Sequence, residues 1–482
     1  MKIFFLFTGI LLFTFSAQAK TFHARLVEDL GTLDWNYGEV SPEILYQVME
    51  GLYTTDHLGR PLPALAEKFQ WSDGKKKIHF QLRKNLKWSD GAPLCASHFV
   101  DSWNRLRSKE FASPYSHYAN VLKSFSAPNC QSLDVEFTRP APEALALFSH
   151  YVFFPIRLDA LAAHPKMFTD GIGLPCNGAY QIESWIRNQS TTLVRNPNYG
   201  DFPDRATIDR IEFQFLPEDS TAAVLFEKKK LDWMKEVPLT MRTPELESHL
   251  EFNRFPSLTA FYFGLNAKAS SLLADPVVRT ALSDALDRDE LKKVLGSETR
   301  PSTSWLTREL FPDLKEPTMT PKNFDKAKEL LSKAVTDNHM DLRLVVYNKQ
   351  SNKNLAEWAQ GQWLKKLGVT IPIEIQEAKV YWSQMSPNAP AIFLSGVTAP
   401  YNHPRAFLQE FFSDSSANWT SWKSSEYDSL VAQEKFQKAE ELLQKEGYVM
   451  PLYSRDTVAL VQKTWKGFWI NPLGQVFLKN VH

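Results

Sequence analysis

Apolar residues recur at helical spacing in several stretches of the chain, and each stretch predicts a helix with one buried face. In the first stretch, Ser41 and Pro42 suit the cap and the first position of a helix. Asp275 and Pro276 precede a second stretch in the same way, and Gly368 marks the end of the last one. The predicted helices cover residues 41–52, 275–286, 327–334 and 355–367.

Alternating apolar and polar residues predict strands around these helices. Ile78, Phe80 and Leu82 alternate with polar residues, as in a strand with one buried face. Asp-Gly turns lie on either side of this run, each close to a tryptophan, Trp71 or Trp88. These rings close the cores of hairpins or, as the less favoured alternative, form a platform for a sugar. Further strands are predicted at 177–180, 191–195, 208–215, 342–346 and 369–375.

The first half of the chain is thus rich in strands, whereas helices and strands alternate in the second half, which predicts an α/β lobe there. The 482 residues exceed what one hydrophobic core supports, so we expect two or three domains. No linker of low complexity separates them, and the domains are therefore expected to be discontinuous. The 55 basic and 55 acidic side chains leave no net charge, which disfavours binding to nucleic acid.

The chain begins with the pattern of a cleavable secretory signal. Lys2 precedes an apolar stretch at 3–15, and Ala17 and Ala19 provide the small residues of a cleavage site. We therefore expect residues 1–19 to be removed and the protein to be exported. The apolar stretch is too short to span a bilayer comfortably, and no cysteine lies at the cleavage point to accept a lipid anchor.

The few cysteines and the absence of known catalytic motifs favour a protein that binds a ligand without catalysing a reaction. Cys95, Cys130 and Cys176 allow at most one disulfide, and the sequence leaves open which pair forms. Their spacing disfavours a zinc site, and no cofactor is expected. The sequence also lacks a nucleophile elbow, a metalloprotease helix, a phosphate-binding loop and a dinucleotide fingerprint. A secreted hydrolase is the competing class, and a sensory or chaperone role is a third.

Several short blocks, taken in order, resemble the periplasmic oligopeptide-binding proteins of ABC transporters, the peptide/nickel class of solute-binding proteins called family 5. The most specific block is 82–94, which reads Leu-Arg-Lys-Asn-Leu-Lys-Trp-Ser-Asp-Gly-Ala-Pro-Leu. The others lie at 50–52, 113–115, 177–180, 194–199, 261–266, 278–282, 286–288, 451–453 and 466–468. One such block is weak, but the ordered series covers nearly the whole chain.

The resemblance implies an α/β fold of the two-lobed type II periplasmic-binding-protein kind with an extra third domain. It implies domain I at 20–57, 174–260 and 455–482, domain II at 58–173, and domain III at 261–454. In that family an extended peptide lies between the lobes, adds to strands on both sides, and is enclosed when the lobes close. The implied partners of this periplasmic protein, expected to be a monomer, are a peptide or modified peptide and the permease subunits of an ABC transporter.

The chain departs from the family where the ligand binds. The family's cleft strand reads roughly Gly-Trp-x-Ala-Asp-Tyr-Asn-x-Pro, and its aspartate pairs with the α-ammonium of the peptide. Here the run 396–404 reads Gly-Val-Thr-Ala-Pro-Tyr-Asn-His-Pro, so Pro400, which has neither a carboxylate nor an N–H, takes the place of the aspartate. Val397 replaces the tryptophan, Leu394 replaces an arginine of many members, and the first cleft strand at 36–40 is shorter than usual.

We therefore hypothesise that the ligand is not a generic peptide whose free α-amine is held by one aspartate. An N-blocked or modified peptide, a cell-wall fragment, or a more anionic solute drawn by His403 and Arg405 fits the change. Alternatively, another carboxylate such as Glu39 binds the ammonium.

Some of the candidate residues have ordinary structural alternatives. Tyr115 matches a cleft tyrosine of the family but could only pack, Tyr401 and Asn402 could only shape a turn, and His403 could be a surface residue. Thr398 and Ala399 are expected to contact the ligand through their backbone, because Pro400 should end the strand. The residues predicted to bind ligand are Tyr37, Gly38, Glu39, Tyr115, Gly396, Val397, Thr398, Ala399, Pro400, Tyr401, Asn402, His403 and Arg405.

Overall fold

The computed structural model of the protein describes residues 20–38, 40–200, 206–235, 237, 241–307, 311–315, 324–336 and 341–482. The predicted signal at 1–19 and the candidate ligand residue Glu39 lie outside these ranges. Within the ranges, no helix is both long enough and apolar enough to cross a membrane.

The strands are β1 (Thr21–Leu26), β2 (Tyr53–Thr55), β3 (Pro61–Pro63), β4 (Ala66–Ser72), β5 (Lys77–Leu82), β6 (Leu122–Asn129), β7 (Ser132–Phe137), β8 (Tyr180–Ile186), β9 (Ser190–Arg195), β10 (Arg210–Phe215), β11 (Trp233–Lys235), β12 (Phe252–Phe255), β13 (Thr259–Leu265), β14 (Thr299–Pro301), β15 (Leu344–Tyr347), β16 (Ile373–Gln376), β17 (Ile392–Thr398), β18 (Val449–Arg455) and β19 (Thr457–Val461). The helices are α1 (Pro42–Val48), α2 (Ser97–Arg107), α3 (Ala144–Leu147), α4 (Leu158–Ala163), α5 (Met167–Asp170), α6 (Asp219–Glu227), α7 (Pro244–Ser248), α8 (Pro276–Asp284), α9 (Leu291–Leu295), α10 (Asp325–Thr336), α11 (Gln350–Leu367), α12 (Ala378–Asn388), α13 (Pro404–Leu408), α14 (Ser425–Ala432) and α15 (Phe436–Glu446).

A seven-stranded sheet forms the base of the first lobe. Its order is β12-β19-β11-β1-β10-β9-β8, and β1 runs parallel to both of its neighbours. Phe22 and Ala24 of β1 are fully buried and lie on the same face of this central strand, because side chains two positions apart in a strand point to the same side. All strands of this sheet come from 20–57, 174–260 and 455–482, the three stretches that the resemblance assigns to domain I.

A four-stranded antiparallel sheet, in the order β4-β5-β7-β6, adds a second layer to the first lobe. The predicted alternation along β5 is confirmed, because its three apolar positions are buried. Trp88 is fully buried beside His98, with 5.5 Å between ring centroids, and Trp71 packs on Phe137 at 6.0 Å. The two tryptophans therefore close a core, as the favoured alternative predicts.

A disulfide joins Cys95 to Cys130 and links the segment before α2 to the turn between β6 and β7. Cys176 is the third cysteine and is buried as a free thiol. Burial raises the pKa of this thiol to about 12, so it stays protonated at neutral pH. The structure thus decides which of the three possible pairs forms.

A six-stranded mixed sheet, in the order β14-β18-β13-β17-β15-β16, forms the second lobe. The predicted helices are present as α8, α10 and α11. The Asp275 side chain caps α8 by accepting the N–H of Val277 at 2.8 Å, and Gly368 ends α11 with a φ of 75°. Ser41 precedes α1 as predicted, but its hydroxyl donates to the Glu43 carboxylate at 2.9 Å instead of accepting a backbone N–H.

The strand predicted at 369–375 begins later than the hydrophobic pattern indicates, because β16 starts at Ile373. Pro372 immediately precedes it and has no N–H to give to a neighbouring strand. Its carbonyl accepts the N–H of Leu344 at 2.9 Å and so leads into the parallel pairing with β15.

The chain crosses between the two lobes at 256–258, which joins β12 to β13, and at Asp456, which joins β18 to β19. Glu298 is fully buried beside the second crossing, where its carbonyl accepts the N–H of Asp456 at 2.9 Å. Its carboxylate accepts hydrogen bonds from Arg242 at 2.6 Å and from Arg455 at 2.7 Å. The exact limits of the domains stay a prediction.

Candidate functional site between the lobes

Strand β17 has one edge that is only partly covered. β13 pairs with it along its whole length on one side. On the other side, the described part of β15 pairs only with Ile392 and Phe393. Tyr381 covers the next position by donating its hydroxyl to the carbonyl of Leu394. Beyond Leu394 the edge has no strand partner within the described residues, so another extended chain can add to it.

The direction of the backbone groups identifies which residues such a chain would meet. Alternate residues of a strand direct their N–H and C=O groups to the same edge. Ile392 and Leu394 direct theirs away from β13, whereas Ala399 donates its N–H to the segment before β13 at 2.8 Å. Gly396 and Thr398, which are both exposed, therefore present their backbone groups to the open edge.

The run after β17 turns toward the first lobe. Ala399 and Tyr401 are buried, and Pro400 is partly buried between them. Asn402 donates its side-chain amide to the carbonyl of Leu58, in the turn between β2 and β3 of the first lobe, at 2.8 Å. Pro400 thus follows the end of the ladder, as predicted, and contributes no charge to the cleft.

His403 and Arg405 are engaged in contacts within the protein. Arg405 is fully buried, with its guanidinium 3.6 Å from the carboxylate of Glu143, which also binds Arg139 at 2.5 Å. The His403 ring accepts the N–H of Arg405 at 3.3 Å and so caps α13. Burial lowers the pKa of His403 to about 4, so the ring is neutral at pH 7. These placements give no support to the attraction of an anionic solute by this pair.

Tyr115 lies on an aromatic wall of the first lobe. Its ring centroid is 6.5 Å from that of Tyr151, which is 6.2 Å from that of Tyr46. Beside them, Tyr118 stacks on His150 at 5.1 Å, and burial lowers the pKa of His150 to about 3. These aromatic rings are therefore uncharged at neutral pH, and the part of Tyr115 in ligand binding stays a prediction.

The described part of the predicted cleft strand at 36–40 is a turn. The Asp34 carbonyl accepts the N–H groups of Tyr37 and Gly38, both at 3.1 Å. Arg105 binds the Asp34 carboxylate at 2.7 and 2.5 Å and holds this turn in place. Gly38 also packs closely, because a Cβ there would lie 2.5 Å from Thr32. Tyr37 is 57% exposed beside Phe111, so its ring remains accessible.

A group of aromatic side chains near the open edge is absent from the sequence-based prediction. Tyr347 ends β15, and its ring lies 5.6 Å from that of Trp382, which in turn lies 5.8 Å from that of Trp419. Trp382 is 43% exposed and follows Tyr381, the residue that binds Leu394. Three separate segments supply these rings, so no local pattern could have identified them.

Glu410 is the second feature that the sequence did not reveal. It lies in the 3-10 turn Gln409–Phe411 after α13 and is partly buried. Burial raises the pKa of its carboxyl to about 7, from an ordinary value of 4.5. In the ranges that the structure describes, no three His, Cys, Asp or Glu side chains are grouped to hold a metal ion, so Glu410 is not part of such a metal site.

We expect Glu410 to make stability depend on pH. The unfolded chain releases this proton near pH 4.5, whereas the folded protein retains it up to about pH 7. The contribution of this carboxyl group to the free energy of unfolding therefore falls as the pH rises from 4.5 to 7, and it does not recover above pH 7. Glu410→Gln lacks this titration. Its free energy of unfolding, taken relative to that of wild type, should therefore be about 2–3 kcal/mol higher at about pH 8 than at about pH 4. Urea denaturation at both pH values measures the difference.

The control for this prediction is Glu426→Gln, since Glu426 is an exposed carboxylate on α14. Its free energy of unfolding should be close to that of wild type at both pH values. If Glu410→Gln also follows wild type at both, Glu410 ionises normally in the folded protein.

Sequence and structure comparisons place the chain among known proteins. The profile of the bacterial extracellular solute-binding proteins, family 5 Middle, matches residues 60–419. The chain is 29% identical to the periplasmic oligopeptide-binding protein of Salmonella typhimurium, over 97% of this chain and 93% of that protein. It is 27% identical to the probable deoxycholate-binding periplasmic protein of Escherichia coli, over 97% and 94% of the two chains.

The fold is similar to that of the oligopeptide-binding protein of Haemophilus influenzae, which was solved in complex with the peptide RPPGFSPFR. The TM-score is 0.78, at 23% identity, and the match covers 96% of this chain and 99% of that one. The structures agree on a two-lobed type II periplasmic-binding fold. The family profile covers most of the chain and includes β17 with its open edge, so this protein belongs to family 5 of the bacterial extracellular solute-binding proteins.

Proposed function

We propose that the protein binds a peptide or peptide-like ligand between its lobes and delivers it, chemically unaltered, to the permease of an ABC transporter. The open edge of β17 carries this proposal. Gly396 and Thr398 together offer two N–H and two C=O groups to an added strand. Each resulting hydrogen bond contributes about 1 kcal/mol net, and none depends on the side chains of the ligand.

The relatives support a binding role without catalysis. One is an oligopeptide-binding protein, and another is a probable deoxycholate-binding protein, so both are binding proteins of the periplasm. We extend the periplasmic location to this chain, with the segment 1–19 removed on export. We also propose that it acts as a monomer and that closure of the lobes presents a changed surface to the permease.

Pro400 narrows the choice of ligand. Without a carboxylate at this position, residue 400 itself cannot bind the α-ammonium of a peptide. Either the N-terminus of the ligand is blocked or modified, as in a conjugated or cell-wall peptide, or its charge is bound elsewhere in the cleft. Loss of one partner from a buried charge pair costs about 2–5 kcal/mol, enough to change which ligands bind.

Native mass spectrometry of protein purified from the periplasm without denaturation tests the proposal. We expect a non-covalent complex with a peptide or peptide conjugate, and fragmentation identifies it. After prolonged incubation with the protein, the cargo should have the same mass. A cargo that is converted would indicate a hydrolase instead, and a steroid cargo would indicate a function like that of the deoxycholate-binding relative.

Thr398→Pro should weaken binding of that cargo about 10-fold or more. The proline removes one N–H from the open edge, worth about 1 kcal/mol, and its ring stands where the incoming strand would lie. Titration calorimetry with cargo-free protein measures the affinity.

Thr398→Val is the matched control for this change. It keeps the backbone N–H and the shape of the side chain, and it loses only the contact of the Thr398 hydroxyl with that of Thr259, at 3.1 Å. Its affinity should stay close to wild type. Equal affinities for all three proteins would exclude the β17 edge as the binding strand.

A further inference from the structure

One of the fourteen tryptophans of the chain is more exposed than the others, and it lies beside the open edge of β17. Trp382 is 43% exposed, whereas the other tryptophans are partly or fully buried. It follows Tyr381, whose hydroxyl binds the carbonyl of Leu394 at the last covered position of that edge. A large exposed ring next to a strand that can bind an added chain is a surface on which a ligand can pack.

The aromatic group, formed by Tyr347, Trp382 and Trp419, lies on one face of the six-stranded sheet. The Trp382 ring is 5.8 Å from that of Trp419, which is 6.1 Å from the ring of Phe393 on β17. The pairing of β17 with β13 is regular along its length, so alternate side chains of β17 share a face. Val397 therefore points to the same side as Phe393, where it is only partly buried. The aromatic group and Val397 thus belong to one face of the sheet.

A chain added to the open edge would run in line with β15. The pairing of β15 with β17 reaches Phe393, and its continuation would place Tyr347 opposite Ser395. Instead, Asn348 donates its N–H to the carbonyl of Gln376 at 2.7 Å, so the chain stays with β16 and leaves β17. An added chain would therefore begin where β15 departs, next to the aromatic group.

One side chain of such a ligand would point to the face that carries the aromatic group. Residues directly opposite each other in paired strands project to the same face. The ligand residue opposite Val397 would therefore share this face, about 7 Å along the strand from the position opposite Ser395. At that distance a large side chain reaches toward the rings and a small one does not. Valine, where the family has tryptophan, also leaves room for a large ligand group.

Building on the proposed function, we propose that Trp382, with the rest of the aromatic group, binds an aromatic side chain of the ligand at the residue that pairs beside Val397. The ligand ring would pack on the exposed ring of Trp382 edge-on or offset, as aromatic pairs prefer. Backbone pairing with Gly396 and Thr398 supplies affinity for any sequence, and Trp382 adds the preference for a ring.

Four tripeptides titrated into cargo-free protein by calorimetry test this inference. Trialanine has no ring, and the other three carry a single phenylalanine at the first, second or third residue, so that each position opposite 396–398 is sampled. Each peptide is used with a free and with an acetylated N-terminus, because Pro400 does not fix the state of that terminus. We expect one phenylalanine peptide to bind wild type at least about 10-fold more tightly than trialanine.

Three variants assign this preference to the ring of Trp382. In Trp382→Ala it should fall to about 3-fold or less, while the affinity for trialanine stays unchanged because the edge of β17 is intact. Trp382→Phe keeps a ring and should keep most of the preference. Val380→Ala is the matched control, since Val380 is 55% exposed on the same helix but does not share a face with Trp382. This control should keep the whole preference.

The heat-capacity change on binding gives a second readout. Burial of apolar surface makes this change more negative. In wild type it should therefore be more negative for the preferred phenylalanine peptide than for trialanine, and Trp382→Ala should reduce the difference. A merely structural part for Trp382 would alter both peptides alike.

The outcomes separate the two proposals. If trialanine binds wild type as tightly as every phenylalanine peptide, or if Trp382→Ala keeps the preference, the assignment of Trp382 is wrong and peptide binding stands. If no peptide in either form binds wild type, the proposed function fails, and the assignment fails with it. Circular dichroism of each variant establishes that a loss of binding is not a loss of folding.

Discussion

Glu298→Gln is expected to lower the free energy of unfolding by about 3–5 kcal/mol. Glu298 is fully buried and binds Arg242, whose side chain is only 4% exposed, together with Arg455. Glutamine has nearly the same shape but no charge, and its NH₂ group would face one of the two arginines. The change thus leaves buried positive charge without compensation. Urea denaturation at neutral pH measures the loss.

A neighbouring ion pair provides the control. Glu247 binds Arg254 near the same crossing, but both side chains are partly exposed, at 25% and 35%. Exposed pairs of this kind contribute about 0–1 kcal/mol, so Glu247→Gln should change stability very little. Similar losses in both variants would show that burial of Glu298 does not set the size of the effect.

Glu298 lies beside a crossing between the lobes, so we expect its replacement to affect lobe closure as well as stability. Its carbonyl binds the N–H of Asp456, the residue at which the chain passes from β18 to β19 and so from one lobe to the other. The carboxylate also ties Arg242, from the first lobe, to Arg455 at the end of β18. Since lobe closure must bend the chain at its crossings, we expect the variant to close less completely on its cargo. Small-angle scattering with and without cargo measures this compaction.

Elements governed by local chemistry could be predicted from the sequence. Asp275 and Pro276 gave the start of α8, and Gly368 gave the end of α11, because a cap and a left-handed residue act within one helical turn. The alternation of apolar and polar residues along β5 predicted its buried face, because successive side chains of a strand point to opposite faces. Where a single residue opposed the pattern, as Pro372 does before β16, the prediction was wrong by several positions.

The site itself depends on contacts that are distant in sequence. The run after Gly396 could be identified from its resemblance to a family, but its open edge exists only because β15 stops pairing after Phe393. Arg405 is buried because Glu143, 262 positions earlier, lies beside it in the folded protein. Glu410 has an ordinary local sequence, and only the folded packing around it shows that burial raises the pKa of its carboxyl to about 7.

Loss of the disulfide is the second large effect that we expect. The bond between Cys95 and Cys130 closes a loop of 35 residues. In the unfolded chain, a cross-link over such a loop removes conformational entropy worth about 3–4 kcal/mol. The double variant Cys95→Ala with Cys130→Ala should therefore be less stable than the oxidised wild type by that amount. Guanidinium denaturation of both proteins without reductant measures the difference.

Reduced wild-type protein is the first control, and its stability should resemble that of the double variant. Cys176→Ala is the second, since it removes a buried thiol and leaves the bond intact. Because burial keeps the Cys176 thiol protonated, it should not exchange with the disulfide, and this variant should lose much less stability. The bond joins the segment before α2 to the turn between β6 and β7 and includes none of the residues predicted to bind ligand, so ligand affinity should stay unchanged in every variant that remains folded. A loss below about 1 kcal/mol in the double variant would mean that the reduced chain retains structure around this loop when unfolded.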